Sequence, residues 1–174
     1  MKPFHLIPMW CLCLLFAAGC GKTEDGDRVL KLPFSATKKV TINASNIVGV
    51  LFIDSIKQAN PVKAVLGLNG KTLEQMKYLK IKEVKLTATN NVSLDALELV
   101  KLDFFGANLP NLEVGKKQNI AANSKEITLD IANENVTAYF RSDSFYTIPA
   151  VRLQKAITTP IEVDYKITFE IGLF

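Results

Sequence analysis

The side chains that most often carry catalysis or bind metals are confined to the first part of this chain. The only histidine is His5, and the three cysteines are Cys11, Cys13 and Cys20. Imidazole and thiolate groups are the usual general bases, nucleophiles and zinc or copper ligands of enzymes. The sequence after Cys20 contains neither group, which excludes a Ser-His-Asp or Cys-His arrangement there. We therefore predict a protein that is not an enzyme and needs no cofactor.

Carboxylates remain as candidates for acid–base chemistry and for metal binding. Asp103, Asp130 and Asp143 lie on or beside predicted strands, without a spacing that indicates a paired acid and base. We interpret them as solvated surface residues. Asp130 and residues 133–135 offer oxygen ligands of the kind that calcium prefers, but they lack the EF-hand spacing and are common turn residues. We predict no metal site.

The first residues have the pattern of an export signal. A basic start, Met1-Lys2, leads into a short apolar run that ends in Phe16-Ala17-Ala18-Gly19-Cys20. A run this short, closed by small residues, predicts a cleaved signal rather than a membrane-spanning helix. Ala18 and Gly19 are small enough to lie in a narrow peptidase cleft, and Cys20 supplies a thiol just after the cut. We expect residues 1–19 to be removed.

This arrangement resembles the bacterial lipoprotein signal, in which diacylglycerol is added to the cysteine, although Ala17 stands where that signal usually has Leu, Val or Ile. The resemblance implies that Cys20 is lipidated and anchors the chain to a membrane. Residues 20–28 are polar and have no apolar period, so they predict a flexible tether. Within the tether, Lys22 followed by Glu24 and Asp25 is similar to the export signal of small Bacteroidetes surface lipoproteins. It implies an outer-membrane location, with the cell surface favoured over the periplasmic face.

From Val29 onward the sequence alternates as β-strands do. The clearest run is C-terminal, where polar residues separate Ile161, Val163, Tyr165, Ile167, Phe169, Ile171 and Leu173. Such alternation predicts a strand with one buried face and one wet face. Further strands are predicted near residues 84–88, 97–104, 127–131 and 145–153. We expect a bulge between Leu99 and Val100, where the apolar phase slips, and an edge or a bend at Pro149, which has no N–H for a ladder.

The first third of the chain is predicted to add strands at 29–34, 39–43, 48–53 and 62–68. Thr72 to Gln75 fits a capping box, and the shared face of Leu73, Met76 and Leu79 predicts a two-turn helix. A second helical turn is predicted over 134–140. This pattern predicts an all-β, antiparallel β-sandwich of immunoglobulin-like or jelly-roll type over residues 29–174, with one or two short helices.

Binding is the function class that this sequence favours. Phe104 and Phe105 are adjacent on a strand and must face opposite sides, as must Phe145 and Tyr146. Phe105 and Tyr146 are therefore candidate aromatics of a binding face. We predict a protein-interaction or scaffolding module, with a surface glycan-binding accessory as the alternative. The formal charge of +4 gives no indication of a nucleic-acid partner.

Overall fold

The computed structural model describes residues 29–53, 56–106, 108–141 and 144–174. Within these residues the chain forms ten strands, one α-helix and two 3-10 turns. The strands are β1 (Leu30–Ile42), β2 (Gly49–Phe52), β3 (Ile56–Ala59), β4 (Met76–Ala88), β5 (Leu97–Phe105), β6 (Leu112–Gln118), β7 (Glu126–Thr128), β8 (Asp130–Ile131), β9 (Ser144–Leu153) and β10 (Ile161–Leu173). The helix is α1 (Pro61–Leu68), and the 3-10 turns are Leu73–Gln75 and Thr137–Phe140.

The strands form two antiparallel sheets with a shared core. One sheet has the order β1-β10-β4-β7 and the other the order β2-β9-β5-β6-β8, while β3 pairs with β9 beyond the end of β2. The predicted all-β sandwich is confirmed. Its core contains inward-facing side chains of both sheets, among them Val84, Leu86, Ile167 and Phe169 from the first and Val100, Leu102, Phe104 and Val151 from the second.

The C-terminal strand β10 lies inside its sheet, between β1 and β4. Every apolar position of its alternating run, from Ile161 to Leu173, is buried. The alternation alone therefore assigned the faces of this strand correctly. Gly172 is buried as well, because the ring of Tyr78 lies over it: a Cβ there would stand within 2.7 Å of three ring carbons.

A short alternating segment connects the two sheets. Ile127 belongs to β7, which pairs with β4, whereas Ile131 belongs to β8, which pairs with β6 in the other sheet. Between them, Leu129 is buried and its N–H donates to the carbonyl of Val84 at 2.9 Å. The predicted strand over 127–131 thus divides between both sheets while keeping its alternation.

The bulge and the sheet edge that the sequence predicts lie at different positions in the structure. In β5 the register shift against β9 falls between Leu97 and Leu99, slightly before the predicted bulge, so that Leu97 and Val100 are both buried. Pro149 lies on β9, which is an internal strand rather than an edge. The interruption occurs in the neighbouring strand instead, since β2 and β3 pair with β9 on either side of Pro149.

The strand predicted over 62–68 is wrong, because these residues form α1. The Oδ1 atom of Asn60 accepts a hydrogen bond from the N–H of Val62 at 2.9 Å, and Pro61 occupies the first turn. Both are helix-start signals, whereas the sequence interpretation took Asn60-Pro61 as a turn. Val62 and Leu66, one helical turn apart, are the buried residues of this helix.

Asn60 also joins the helix start to the core, and replacing it should be costly. Its Nδ2 donates to the carbonyl of Phe140 at 2.6 Å in a buried site. We expect Asn60→Ala to lower the free energy of unfolding by about 2–4 kcal/mol, because it removes a cap and leaves a buried carbonyl unpaired. Urea denaturation measures the loss. The control is Asn69→Ala at the exposed end of the same helix, whose Nδ2 donates to the carbonyl of Val65; equal losses in both variants would contradict this role.

The remaining differences concern element length. The capping box of Thr72 and Gln75 is present, but it begins a single 3-10 turn, and β4 starts at Met76 instead of a two-turn helix continuing. A register shift against β10 allows Met76 and Leu79 to face the core together from a strand. The strands predicted at 29–34 and 39–43 are one continuous strand, β1. The helical turn predicted over 134–140 is present only as a 3-10 turn over Thr137–Phe140.

Candidate interaction face

The two aromatic residues predicted to mark a binding face lie opposite each other. Phe105 on β5 pairs in register with Tyr146 on β9, and their ring centroids are 6.2 Å apart. Their neighbours Phe104 and Phe145 are buried in the core. Because successive side chains alternate between faces, Phe105 is directed away from the core and is 43% exposed. The structure therefore brings both candidate residues together on the outer face of the second sheet.

This pair continues as an apolar stripe toward the sheet edge. Ile148 lies on β9 in phase with Tyr146, and Phe52 on the edge strand β2 pairs with Ala150 in the same phase. Phe52 is 76% exposed and Val50 is 48% exposed. We name Val50, Phe52, Phe105, Tyr146 and Ile148 the outer-face patch. Exposed apolar patches of this kind mark interaction sites more often than scattered apolar residues do.

Sequence reasoning missed the part of this patch that β2 contributes. The run from Val48 to Ile53 is almost entirely apolar, so it contains no polar residues to indicate which phase faces outward. The pairing with β9 decides the question: Leu51 packs against the core, while Val50 and Phe52 are exposed.

A group of charged residues borders the patch on β5 and β6. Lys101 contacts Asp103 at 3.1 Å and Glu113 at 3.2 Å, and Glu113 also contacts Lys116 at 3.2 Å. Burial lowers the pKa of Lys101, but the hydrogen bonds to both carboxylates outweigh it and raise the pKa. Burial likewise raises the pKa of Glu113, and the two lysines outweigh it and lower that pKa. Both directions favour the charged forms of Lys101 and Glu113.

Two of the carboxylates that were considered as an acid–base pair form ion pairs with different lysines. Asp103 is only 7% exposed, so the prediction that it is a solvated surface residue is wrong. Its carboxylate pairs with Lys101. Asp130 is exposed and pairs with Lys117 at 3.2 Å. Asp143 lies outside the described residues. In the loop that was considered as a calcium site, the Nδ2 of Asn133 donates to the carbonyl of Glu113. The Oδ1 of Asn135 accepts from the N–H of Thr137. Across the described residues, no three His, Cys, Asp or Glu side chains cluster closely enough to hold a metal ion.

A mainly apolar cavity beside Tyr165, between β1, β5, β9 and β10, is too small for a ligand. It is a cavity of about 20 Å³ whose lining includes Tyr165, Thr147 and Pro149. That volume admits about one water molecule. Burial raises the pKa of Tyr165, and the charge of Asp103 raises it further. The phenol is thus held neutral and acts as a core residue.

The predicted anchor lies outside the part of the chain that the structure describes. Cys20, the signal at 1–19 and the tether at 20–28 all precede Val29. Among the described residues, α1 and the other helical segments are too short and insufficiently apolar to span a membrane.

Comparison with known proteins gives a fold likeness only. No protein-family profile and no curated protein matches this chain. Among solved structures it is similar to a decameric BFDV capsid protein, with 12% sequence identity over 84% of this chain and 100% of the other, at a TM-score of 0.44. A likeness at that level has no bearing on activity, partners or assembly.

Proposed function

We propose that this protein is a lipid-anchored envelope protein whose folded part acts as a non-enzymatic protein-interaction module. The observation that carries the proposal is the outer-face patch, in which Phe105 and Tyr146 form a cross-strand pair on the same sheet face as the exposed Phe52. Aromatic side chains are enriched at the centres of protein interfaces because they bury a large area at small entropic cost. The lipid anchor at Cys20 would hold this surface near the membrane.

The charges around the patch favour a protein partner. Lys101, Lys116 and Arg152 are each within ion-pair distance of a carboxylate, namely Asp103, Glu113 or Glu98. An apolar centre with a polar rim of balanced charge is the usual anatomy of a protein interface. Such a rim attracts neither a polyanion nor a polycation strongly. We therefore expect a partner surface with its own apolar centre and few net charges.

The ring geometry counts against the alternative of a glycan-binding accessory. Sugar rings stack on flat aromatic platforms, and two aromatics serve as one platform when they are coplanar. The rings of Phe105 and Tyr146 are inclined by 58°. They form a tilted pair, which is a common arrangement of contacting aromatic rings.

The double variant Phe105→Ser/Tyr146→Ser tests this function. A photo-reactive residue at position 148 identifies the neighbouring protein in intact cells, and that protein is then purified and titrated against the full-length chain. We expect the double variant to bind it about 30-fold or more weakly, as loss of a hot spot does. The unfolding midpoint should be almost unchanged, because Phe105 is partly exposed at the surface.

The matched control is Leu68→Ser, which removes an apolar side chain that is 88% exposed on α1, outside the patch. It should bind the partner as the original chain does. An equal loss in both variants would mean non-specific apolar adhesion. Patch-dependent binding on a glycan array, without any protein partner at position 148, would replace the proposal by the glycan-binding alternative.

A further inference from the structure

The edge strand β1 presents a long backbone edge on the other sheet from the outer-face patch. All thirteen residues of β1 pair with β10, and no described residue pairs with its opposite edge. At the usual rise per residue, this free edge extends for about 44 Å. An average strand has about 5–6 residues, so this edge is unusually long. Unpaired N–H and C=O groups along an edge are a template for an added strand.

The core-facing side of β1 is incompletely covered. Leu32, Phe34 and Ala36 pack against the core but remain partly accessible, and Leu30 is 42% exposed. Phe34 stacks on Phe169 with a centroid distance of 4.8 Å, which makes it the outermost ring of the aromatic core. The inward side chains of a strand added beside β1 would cover these residues. The sheet therefore has apolar surface available for an additional strand.

A groove adjoins the C-terminal end of this edge. It encloses about 500 Å³ between the end of β1, the connection at 43–45 and the edge strand β2. Its lining is mostly apolar or neutral, with Leu51, Phe52 and Ile53 on one side and the single charged residue Lys39 on the other. A side chain of an incoming strand has room there, beside a positive charge.

The charges of β1 are all of one sign. The strand contains Lys31, Lys38 and Lys39 and no acidic residue. Lys38 and Lys39 are exposed, and neither forms an ion pair with a described residue, although Asp164 lies opposite Lys39 in the register. Like charges directly opposite each other destabilise a strand pair, and opposite charges stabilise it. A second β1 strand brings three more lysines and no acidic residue, whereas an acidic strand complements the charge of this edge.

We infer that the free edge of β1 binds an extended acidic segment of a partner protein as an additional strand. Apolar residues at every second position of that segment cover Leu32, Phe34 and Ala36. Acidic residues between them face Lys39 and Lys31 on the outer side of the sheet, where Lys31 already contacts Glu170 at 3.9 Å. Lys38 lies in phase with Leu32, Phe34 and Ala36 and adds positive charge at the end of the apolar side.

The groove at the end of this edge shares Phe52 with the outer-face patch, but the edge and its lysines belong to the other sheet. The inference therefore does not depend on Phe105 or Tyr146.

The test uses a synthetic peptide of about twelve residues with the repeat Val-Glu-Val-Thr, long enough to span most of β1. We expect it to bind the full-length chain and to protect the amides of β1 from hydrogen exchange. A peptide with lysine in place of each glutamate should bind about tenfold or more weakly. N-methylation of alternate peptide amides along one edge should abolish binding, because a strand adds through its backbone.

Two variants of the chain separate backbone pairing from charge. Pro33 has no N–H, and an edge strand tolerates proline where that group faces away from the ladder. Thr37 is in the same phase as Pro33, so Thr37→Pro removes a free outward donor while leaving the pairing with β10 intact. Lys38→Glu/Lys39→Glu reverses the charge of the edge. Both variants should bind the acidic peptide about tenfold or more weakly.

The matched control is Lys71→Glu/Lys82→Glu, which makes the same charge change away from β1. Lys166 is left unchanged because it lies opposite Thr37 in the register. That control should retain the affinity of the original chain, as should Phe105→Ser/Tyr146→Ser. Equal weakening by this control would overturn the inference in favour of general charge attraction. Absence of peptide binding, with dimers that Thr37→Pro dissolves, would assign the edge to a second copy. If the chain neither binds the peptide nor forms dimers, the lysines of β1 and Pro33 block the edge and the inference is wrong.

Discussion

Replacing Phe140 by alanine is expected to lower the free energy of unfolding by about 3–5 kcal/mol. Phe140 is fully buried, and its ring lies between three others, with centroid distances of 4.2 Å to Phe145, 5.3 Å to Phe169 and 5.7 Å to Phe104. These rings come from both sheets, so alanine would leave a cavity where the sheets meet. Each aromatic contact also contributes beyond its buried area.

Chemical denaturation followed by circular dichroism measures this loss. The control Phe140→Leu keeps most of the volume and the backbone contact to Asn60, so its loss should be clearly smaller. The slope of unfolding against denaturant should change little, since the folded state buries nearly the same surface. If Phe140→Ala lowers the free energy of unfolding by less than about 1 kcal/mol, the neighbouring side chains fill the space of the missing ring, and Phe140 is not essential to the packing of the two sheets.

Replacing Cys20 by alanine is expected to abolish membrane anchoring. The acyl chains proposed at Cys20 contribute about 0.8 kcal/mol for each buried methylene, and two or more chains hold a protein almost permanently. Without the thiol, no chain can be attached, and an unprocessed or soluble protein should result. Detergent-phase partition and the mass of the N-terminus measure the change.

A matched control for this variant is Cys13→Ala, which removes a thiol from the segment expected to be cleaved. Processing and partition should then be normal. If Cys20→Ala partitions and is processed like the original chain, Cys20 is not the anchor and the lipoprotein assignment is wrong. The folded part should unfold at the same denaturant concentration in all three proteins, because β1 begins only at Leu30.

The two proposed surfaces differ in how far the sequence could predict them. The opposite directions of Phe104 and Phe105 follow from strand alternation alone, and so do those of Phe145 and Tyr146. Their meeting on one face depends on the pairing of β5 with β9, which are separated by almost forty residues of chain. Local sequence patterns contain no information on such a partner. For the same reason, the exposure of Phe52 became evident only from the pairing of β2 with β9.

Two predictions of local secondary structure were wrong for physical reasons that the structure shows. Residues 62–68 are apolar with β-branched members, which favours a strand by propensity, but the Asn60 cap and its bond to the Phe140 carbonyl favour a helix start. Leu73, Met76 and Leu79 have helical spacing, yet a register shift in β4 places Met76 and Leu79 on one face of a strand. In the first case a local cap signal was taken as a turn, and the contact with Phe140 reinforces that cap. In the second case a tertiary pairing overrides a weak local preference.

The sequence by itself determined the properties that depend on residue type and on neighbours along the chain. These are the absence of histidine and cysteine after Cys20, the all-β class and the two faces of β10, where a period of two directly sets which side chains are buried. The lipoprotein signal stays a prediction. Only the tertiary structure decided which strands lie at sheet edges and which exposed residues lie next to each other. The free edge of β1 and the outer-face patch both arise from pairings between distant segments, and loop closure over such distances is governed by the whole fold rather than by any local pattern.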